Sequence, residues 1–422
     1  MALPPPVAAP SKAKTEAVQL PPPAPSPPPL PTEIPQPTDP ALTQLPNVAA
    51  TVQSGPAVAP TPLKSGLPKT EVRAALLLPL TGAHAVTGQA LANAAQLALF
   101  EIADAKFNLI PLDTRGTAEG AAAAAAQALA QGADIILGPV FSFEAKAAAT
   151  VVREQAIPLL AFTTDRGVAG NGTYALGFLP GPQVARILGY ARERGKTRIG
   201  LLLRSDDYGR AVADAAKESA AGLGLDLVAI DYYDPAATDF TTVVKRFAAR
   251  RGVNPAKGVS GSAYDAILVP DDGARLRNIS SLLSYFLTEG GAQPPILLGT
   301  LLWDDAKLAS EPSLAGGWYP APPAAGHGEF EQRYTKAFGP LPPRAGGLAG
   351  IAYDSTALAA ALARNGAGDY ASASLQNPNG FAGVDGIFRL RASGIAERGL
   401  TIKEITPQGS REISPAPTAF TN

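Results

Sequence analysis

Hydroxyl and carboxylate residues recur in this chain where short apolar runs end in turns. Thr81 follows Val72–Leu78, Ser142 follows Asp134–Leu137, and Thr163 and Thr164 follow Ile157–Phe162. Further on, Asp206, Asp207 and Tyr208 follow Arg198–Leu203. Asp271 and Asp272 follow Asp265–Val269, and Trp303, Asp304 and Asp305 follow Ile296–Gly299. Ser142 precedes a helical pattern, so its hydroxyl and the free N–H groups of that helix can share an anion. Hydroxyls and helix starts suit a carboxylate, and carboxylates suit an ammonium. Thr81, Ser142, Thr163 and Thr164 on one side and Tyr208, Asp271, Trp303 and Asp304 on the other thus describe a cleft matched to an amino-acid-like zwitterion. The same residues have a plainer use. Asp or Ser ahead of a helix is a common N-cap, and Asp206 or Asp207, Asp271 or Asp272, and Asp304 each stand where a cap is needed. An aromatic beside a strand end, such as Trp303, usually packs.

Catalytic signatures are not found. No Gly-x-Gly-x-x-Gly follows a strand pattern and no Gly-x-Ser-x-Gly elbow occurs. Gly189–Thr197 resembles a phosphate loop but has one residue too many between its glycines, and it lies at a helix end, where carbonyls point outward. The two histidines, His84 and His327, sit in different turns without a second His or a Cys at metal-ligand spacing. The expectation is a protein without enzymatic activity, metal or cofactor.

These turns need elements to hold them. Val72–Leu78 is too short for an ordinary helix and ends at Pro79 and Gly82, after which Leu91, Ala95, Ala98 and Ile102 recur at helical spacing. Strand, Gly-containing turn and helix open a parallel α/β sheet, whose ligands bind at the carboxyl ends of strands. Strand and helix patterns then alternate to residue 178, and a second alternating set runs from Arg198 to Gly299. Two serial β-α sets predict two doubly wound parallel-sheet lobes with a cleft between them. Helical patterns recur at Glu329–Ala337 and Tyr353–Ala363, and Val384–Ile405 reads as short strands around Gly386, Gly394 and Gly399.

Length and composition agree. A chain of 422 residues suggests two to three domains, and 46% hydrophobic with 17% charged residues fits a globular protein with ample core. A formal net charge of −1 argues against a nucleic-acid partner. There is no cysteine, which excludes disulfides and thiolate chemistry. No apolar run is long enough to cross a bilayer. Residues 1–70 hold 20 of the 42 prolines and no Phe, Trp or Tyr, so they are expected to form a disordered, semi-stiff spacer. The first residues lack the basic start and apolar core of a secretory signal, and a lipid anchor would need a cysteine that this chain lacks.

An ordered set of motifs adds a resemblance. Leu78-Pro-Leu-Thr-Gly82, Gly138-Pro139, Asp207-Tyr-Gly209 and Tyr353-Asp354 resemble the type 1 periplasmic binding proteins, over roughly residues 71 to 405. Leu298-Gly-Thr-Leu-Leu-Trp-Asp-Asp305, Gly316-Gly-Trp-Tyr-Pro-Ala-Pro322 and Phe381-Ala-Gly-Val-Asp-Gly-Ile-Phe388 are similar to the penicillin-binding protein activator branch. The resemblance implies two α/β lobes joined by three crossovers: 71–182 with 320–366 as lobe one, and 183–319 with 367–422 as lobe two. It implies ligand contacts at Ser142, Thr163 and Thr164, and near Tyr208, Asp271, Trp303 and Asp304. It also implies a periplasmic place, with outer-membrane anchoring through a lipoprotein signal missing from this chain. As an activator, the partner is a peptidoglycan synthase, and the cleft is reduced or takes a cell-wall-like ligand. As a solute receptor, the partner is an ABC transporter permease and the ligand an amino acid or small amide. The turn Val140-Phe141-Ser142-Phe143 carries two phenylalanines where transport receptors carry small hydroxyl residues, which favours the activator.

Overall fold

The structure, a computed structural model, describes residues 71–104, 106–254, 259–288, 294–308, 311–342, 345–364 and 369–420. The expected spacer, 1–70, lies outside the described residues.

The chain begins as the sequence predicts. Strand β1 (Val72–Leu78) leads through a short turn to helix α1 (Ala85–Ile102), then β2 (Phe107–Asp113), α2 (Ala118–Ala130), β3 (Ile135–Leu137), α3 (Ser142–Val152), β4 (Leu159–Ala161) and β5 (Thr173–Ala175). The five strands form a parallel sheet in the order β2-β1-β3-β4-β5. Only Arg73 of β1 is exposed, because both faces of the strand are covered. Alternate residues serve two cores: Val72, Ala74, Leu76 and Leu78 join α1, while Ala75 and Leu77 join α2 and α3. The alanines of α2 at 121, 124, 125 and 128 are buried there, and their small size lets the helix lie close to its neighbours. Pro111 is tolerated because β2 is an edge strand.

The second set follows as α4 (Pro180–Glu193), β6 (Arg198–Arg204), α5 (Asp207–Leu223), β7 (Asp226–Tyr233), α6 (Thr241–Ala248), the hairpin β8 (Arg251–Asn254) and β9 (Val259–Ser262), β10 (Ala266–Leu268), α7 (Gly273–Thr288), β11 (Ile296–Leu298) and β12 (Trp318–Ala321). Again the central strand divides its residues. Ile199, Leu201 and Leu203 pack with α4 and α5, and Leu202 packs with α6 and α7.

The chain then returns to the first lobe as α8 (Ala324–Phe338), α9 (Gly346–Ala363) and α10 (Ser372–Leu375), followed by a three-stranded antiparallel sheet, β13 (Phe381–Gly383), β14 (Gly386–Leu390) and β15 (Ala396–Arg398). Here the expected division differs from the structure. The resemblance implies residues 367–422 in lobe two, yet Phe388, Leu390 and Ala396 lie in the core shared with β1, α1 and α9. The Ala175 N–H of β5 donates to the Gly394 carbonyl at 2.8 Å, which docks this small sheet onto the edge of the first. Only β16 (Thr401–Thr406) and β17 (Gly409–Ser414) return to the second lobe, pairing antiparallel to β12 and to each other. The second sheet therefore runs β17-β16-β12-β11-β10-β6-β7.

Three segments cross between the lobes: Leu176–Leu179, Pro322–Pro323 and Gly399–Leu400. The first and third are braced from the second lobe. Gln183 donates to the Phe178 carbonyl at 2.7 Å and accepts from the Leu301 N–H at 2.8 Å, and Arg186 donates to the Leu400 carbonyl at 2.9 Å.

Candidate functional site

The carboxyl ends of β1, β2 and β3 hold the first-lobe turns. Asp113, at the end of β2, organises the turn after β1. It accepts the Thr81 hydroxyl at 2.6 Å and the N–H groups of Leu80, Thr81 and Arg115 at 2.9, 3.2 and 2.8 Å. Burial pushes this carboxyl up, but these hydrogen bonds outweigh it and hold it below its ordinary value. Thr81 is exposed at the expected turn, with its hydroxyl engaged.

Ser142 is the first residue of α3 and half-buried, and among the described residues its hydroxyl makes no hydrogen bond. Beneath it Glu144 is fully buried, accepting the Thr114 hydroxyl at 2.6 Å and the Phe141 N–H at 3.2 Å, and burial raises its carboxyl. Phe141 and Phe143 stack with centroids 5.5 Å apart, and His84 lies 4.6 Å from Phe141. Thr163 is buried and accepts the Asp165 N–H at 3.1 Å, whereas Thr164 is exposed.

The second-lobe turns are dominated by ion pairs. Asp206 caps α5 by accepting the Gly209 N–H at 3.0 Å, and Arg204 grips its other oxygen. Burial raises Asp206, and the capping N–H and Arg204 together lower it further than burial raises it. Asp271 has no exposed surface. It accepts the Tyr233 hydroxyl at 2.6 Å, the Arg275 Nε at 3.0 Å and NH2 at 2.8 Å, and the Asp272 N–H at 2.8 Å, with Arg204 3.7 Å away. Tyr208 donates to the Thr300 hydroxyl at 2.9 Å, and burial pushes its phenol up to about 12. Trp303 is buried and donates from Nε1 to the Val269 carbonyl at 3.0 Å. A Cβ on Gly299 would lie 2.1 Å from the Trp303 ring, so glycine is needed for the indole to fold under β11. Asp304 is exposed and accepts the Tyr319 hydroxyl and the Lys403 ammonium, each at 3.0 Å.

The structure thus brings Tyr208 and Asp271 into one cluster with Arg204 and Asp206. Two guanidinium groups, Arg204 and Arg275, face three carboxylates, Asp206, Asp271 and Asp272, which leaves an excess of one negative charge. In the first lobe Thr81 is engaged by its own turn. Sequence reasoning missed Arg204, Arg275, Tyr233 and Lys403 as the partners of the carboxylates. Arg275, four residues after Asp271 on a helical pattern, was the one legible signal. Among the described residues no group of three or more His, Asp or Glu side chains forms a site for a metal ion, and no helix is long and apolar enough to cross a membrane. A surface depression of about 680 Å³ opens at the other end of β1 and β2, lined by Arg73, Asn108 and Gln131 among others, away from the carboxyl-end turns.

Two sheets wound on both faces, joined by three crossovers, define the class, and the family model agrees. The chain belongs to the periplasmic binding protein family, whose model matches residues 71–409. No curated protein matches the chain. Among solved structures it is similar to a putative branched-chain amino acid ABC transporter protein from Rhodospirillum rubrum, with 18% identity and a TM-score of 0.67, covering 81% of this chain and 100% of that one. It is also similar to LivJ of Streptococcus pneumoniae in complex with isoleucine, with 18% identity and a TM-score of 0.54, covering 82% and 100%. The C-domain of LpoA from Haemophilus influenzae, a regulator of PBP1A, matches at 15% identity with a TM-score of 0.61, covering 81% and 99%. At these identities the likeness is one of fold. The family implies a periplasmic location.

Proposed function

We propose that this chain is a non-catalytic regulator in the periplasm that engages a peptidoglycan synthase through its surface rather than delivering a solute. One observation carries this reading: Asp271, the buried carboxylate best placed to receive a ligand ammonium, has both oxygens taken by Arg275 and Tyr233. A ligand ammonium would have to displace a buried ion pair, and breaking such a pair costs about 3–5 kcal/mol. Asp206 and Asp304 are engaged in the same way by Arg204 and Lys403. On the first lobe, the Phe141–Phe143 stack occupies the turn where small hydroxyls would be needed. The likeness to the LpoA C-domain is consistent with this reading. It includes the Pro-rich segment as a spacer and an anchor at the outer membrane.

A second reading, an amino-acid or small-amide receptor feeding an ABC transporter, draws on Ser142 and Thr164, whose hydroxyls stand at the first-lobe turns. Thermal-shift screening separates the two. A ligand that binds only the native state raises stability, so no response to any amino acid, with co-purification of a penicillin-binding protein, is expected. A micromolar response to an amino acid would replace the regulator reading with the receptor.

A further inference from the structure

A cluster of buried charges lies where the three crossovers meet the first lobe, and neither function reading uses it. Asp354 sits in the middle of α9, Asp385 in the turn between β13 and β14, and Arg398 ends β15; they are 2%, 1% and 6% exposed. His327, in the first turn of α8, places Nδ1 2.7 Å from Asp385 Oδ1. The chain makes room for both carboxylates with glycine: a Cβ on Gly350 would lie 2.2 Å from Asp385 Oδ2, and one on Gly383 2.3 Å from Asp354 Oδ2.

Each crossover is tied to this cluster. Arg398 NH2 donates to the Leu176 carbonyl of the first crossover at 2.9 Å, and its guanidinium covers the Phe178 ring at 4.6 Å and Phe388 at 5.4 Å. His327 lies four residues past the second crossover, in the helix that crossover leads into, and Arg398 is the last residue before the third.

The charges do not balance. Two carboxylates face one guanidinium, and Asp354 Oδ2, Asp385 Oδ2, Arg398 Nε and Arg398 NH1 are buried without hydrogen-bond partners. Burying an uncompensated charge is costly, so the stable state is the neutral one, which needs one added proton on His327 or on a carboxylate. The surrounding charges are few. Asp385, Glu331 of the same helix and Asp304 of the second lobe act on His327, and Asp304 is itself bonded to Lys403 and Tyr319. Arg398 and Asp385 act on Asp354.

We propose that Asp354, Asp385, Arg398 and His327 share one proton, and that its loss to solvent loosens the crossovers and changes the angle between the lobes. The route is local. An ionised Asp354 draws Arg398 NH1, now 3.9 Å from its Oδ2, and that movement pulls NH2 away from the Leu176 carbonyl. Burial pushes the Asp354 carboxyl up to about 7, and the Asp385 contact raises His327, so the proton leaves near and above neutrality. The device is independent of what, if anything, the cleft binds.

The chain has no cysteine, so two introduced thiols are its only labels. Glu154→Cys in the first lobe and Glu218→Cys in the second are both exposed sites for spin labels. The interlobe distance distribution should shift between pH 6 and pH 8.5. Asp354→Asn keeps the acceptor for the Val384 N–H and should hold the low-pH distribution at both values. An unchanged wild-type distribution, or a full shift persisting in Asp354→Asn, overturns the proposal. Carboxyl and imidazole NMR titration of the wild-type chain tests it without a substitution at the cluster. Asp354 and His327 titrating near their ordinary values of about 3.9 and 6.5 would equally overturn it.

Discussion

Replacing Asp271 by Asn removes the one charge around which the second-lobe turns are built. The side chain is fully buried, and it faces Arg275 with about a third of its side chain exposed and Arg204 with about a fifth. Neutralising one member of a buried pair strands the other and costs about 3–5 kcal/mol. Because water reaches both arginines, the lower end applies, about 3 kcal/mol. An amide keeps one acceptor oxygen and puts an NH2 donor in place of the other, so either the Tyr233 hydroxyl or an Arg275 N–H loses its acceptor. For a lobe of this size the loss corresponds to a melting shift of roughly 6–12 °C. Intrinsic fluorescence is a suitable probe, because the two tryptophans, Trp303 and Trp318, both lie in the second lobe. A urea midpoint unchanged in Asp271→Asn, together with the loss of an amino-acid response present in the wild type, would refute the reasoning. It would show that the carboxylate serves a ligand and not the fold.

Other outcomes follow from the same geometry. Gly209→Ala places a Cβ 1.9 Å from the Arg204 carbonyl, so α5 must shift against β6, and denaturation should show a loss of about 1–3 kcal/mol or more. Tyr208→Phe deletes the bond to Thr300 and should cost about 1 kcal/mol by the same measurement. Stability should also vary with pH on two limbs. Asp354 and His327 have folded values raised above their ordinary ones, so the folded state holds more protons. Their contribution is present at low pH and is lost as pH rises, between about 4 and 7 for Asp354 and through its raised value for His327. Asp113 and Asp206 are lowered, and their contribution is lost as pH falls below the ordinary carboxylate value. The unfolding free energy from urea denaturation should therefore fall from pH 5 to pH 8 by at most about 1.4 kcal/mol per pH unit for one proton, with the slope flattened in Asp354→Asn.

Much of the fold was legible because it is written in local pattern. Val72–Leu78 is an unbroken apolar run, and buried parallel strands need such runs. The turns bearing Thr81, Ser142, Tyr208 and Asp271 do stand at strand ends, since a strand boundary is a local event. Their partners were not legible. Asp113 reaches Thr81 across 32 residues of chain, and Lys403 reaches Asp304 across 99. No periodicity links such positions. The same limit explains β13–β15, which read as short strands but pack with the first lobe, not with the second as the resemblance implies. Their docking rests on core contacts of Phe388, Leu390 and Ala396 and on the Ala175–Gly394 bond, all between distant parts of the chain. The members of the buried cluster at the crossovers were legible singly, in Tyr353-Asp354, in the Phe381–Phe388 motif that carries Asp385, and as His327, but nothing in the sequence joined them. That Gly350 and Gly383 admit its carboxylates shows only once the backbone places them.

On the function proposed above, this binding-protein fold works on a protein partner and leaves amino acids alone. Titration of the purified chain into a purified peptidoglycan synthase of the same cell, followed by calorimetry with glycan synthesis measured in parallel, tests it most directly. The expected result is a saturable complex and a faster synthase, with no heat from any free amino acid in the control titrations. No complex with the synthase, beside micromolar binding of an amino acid, would contradict it.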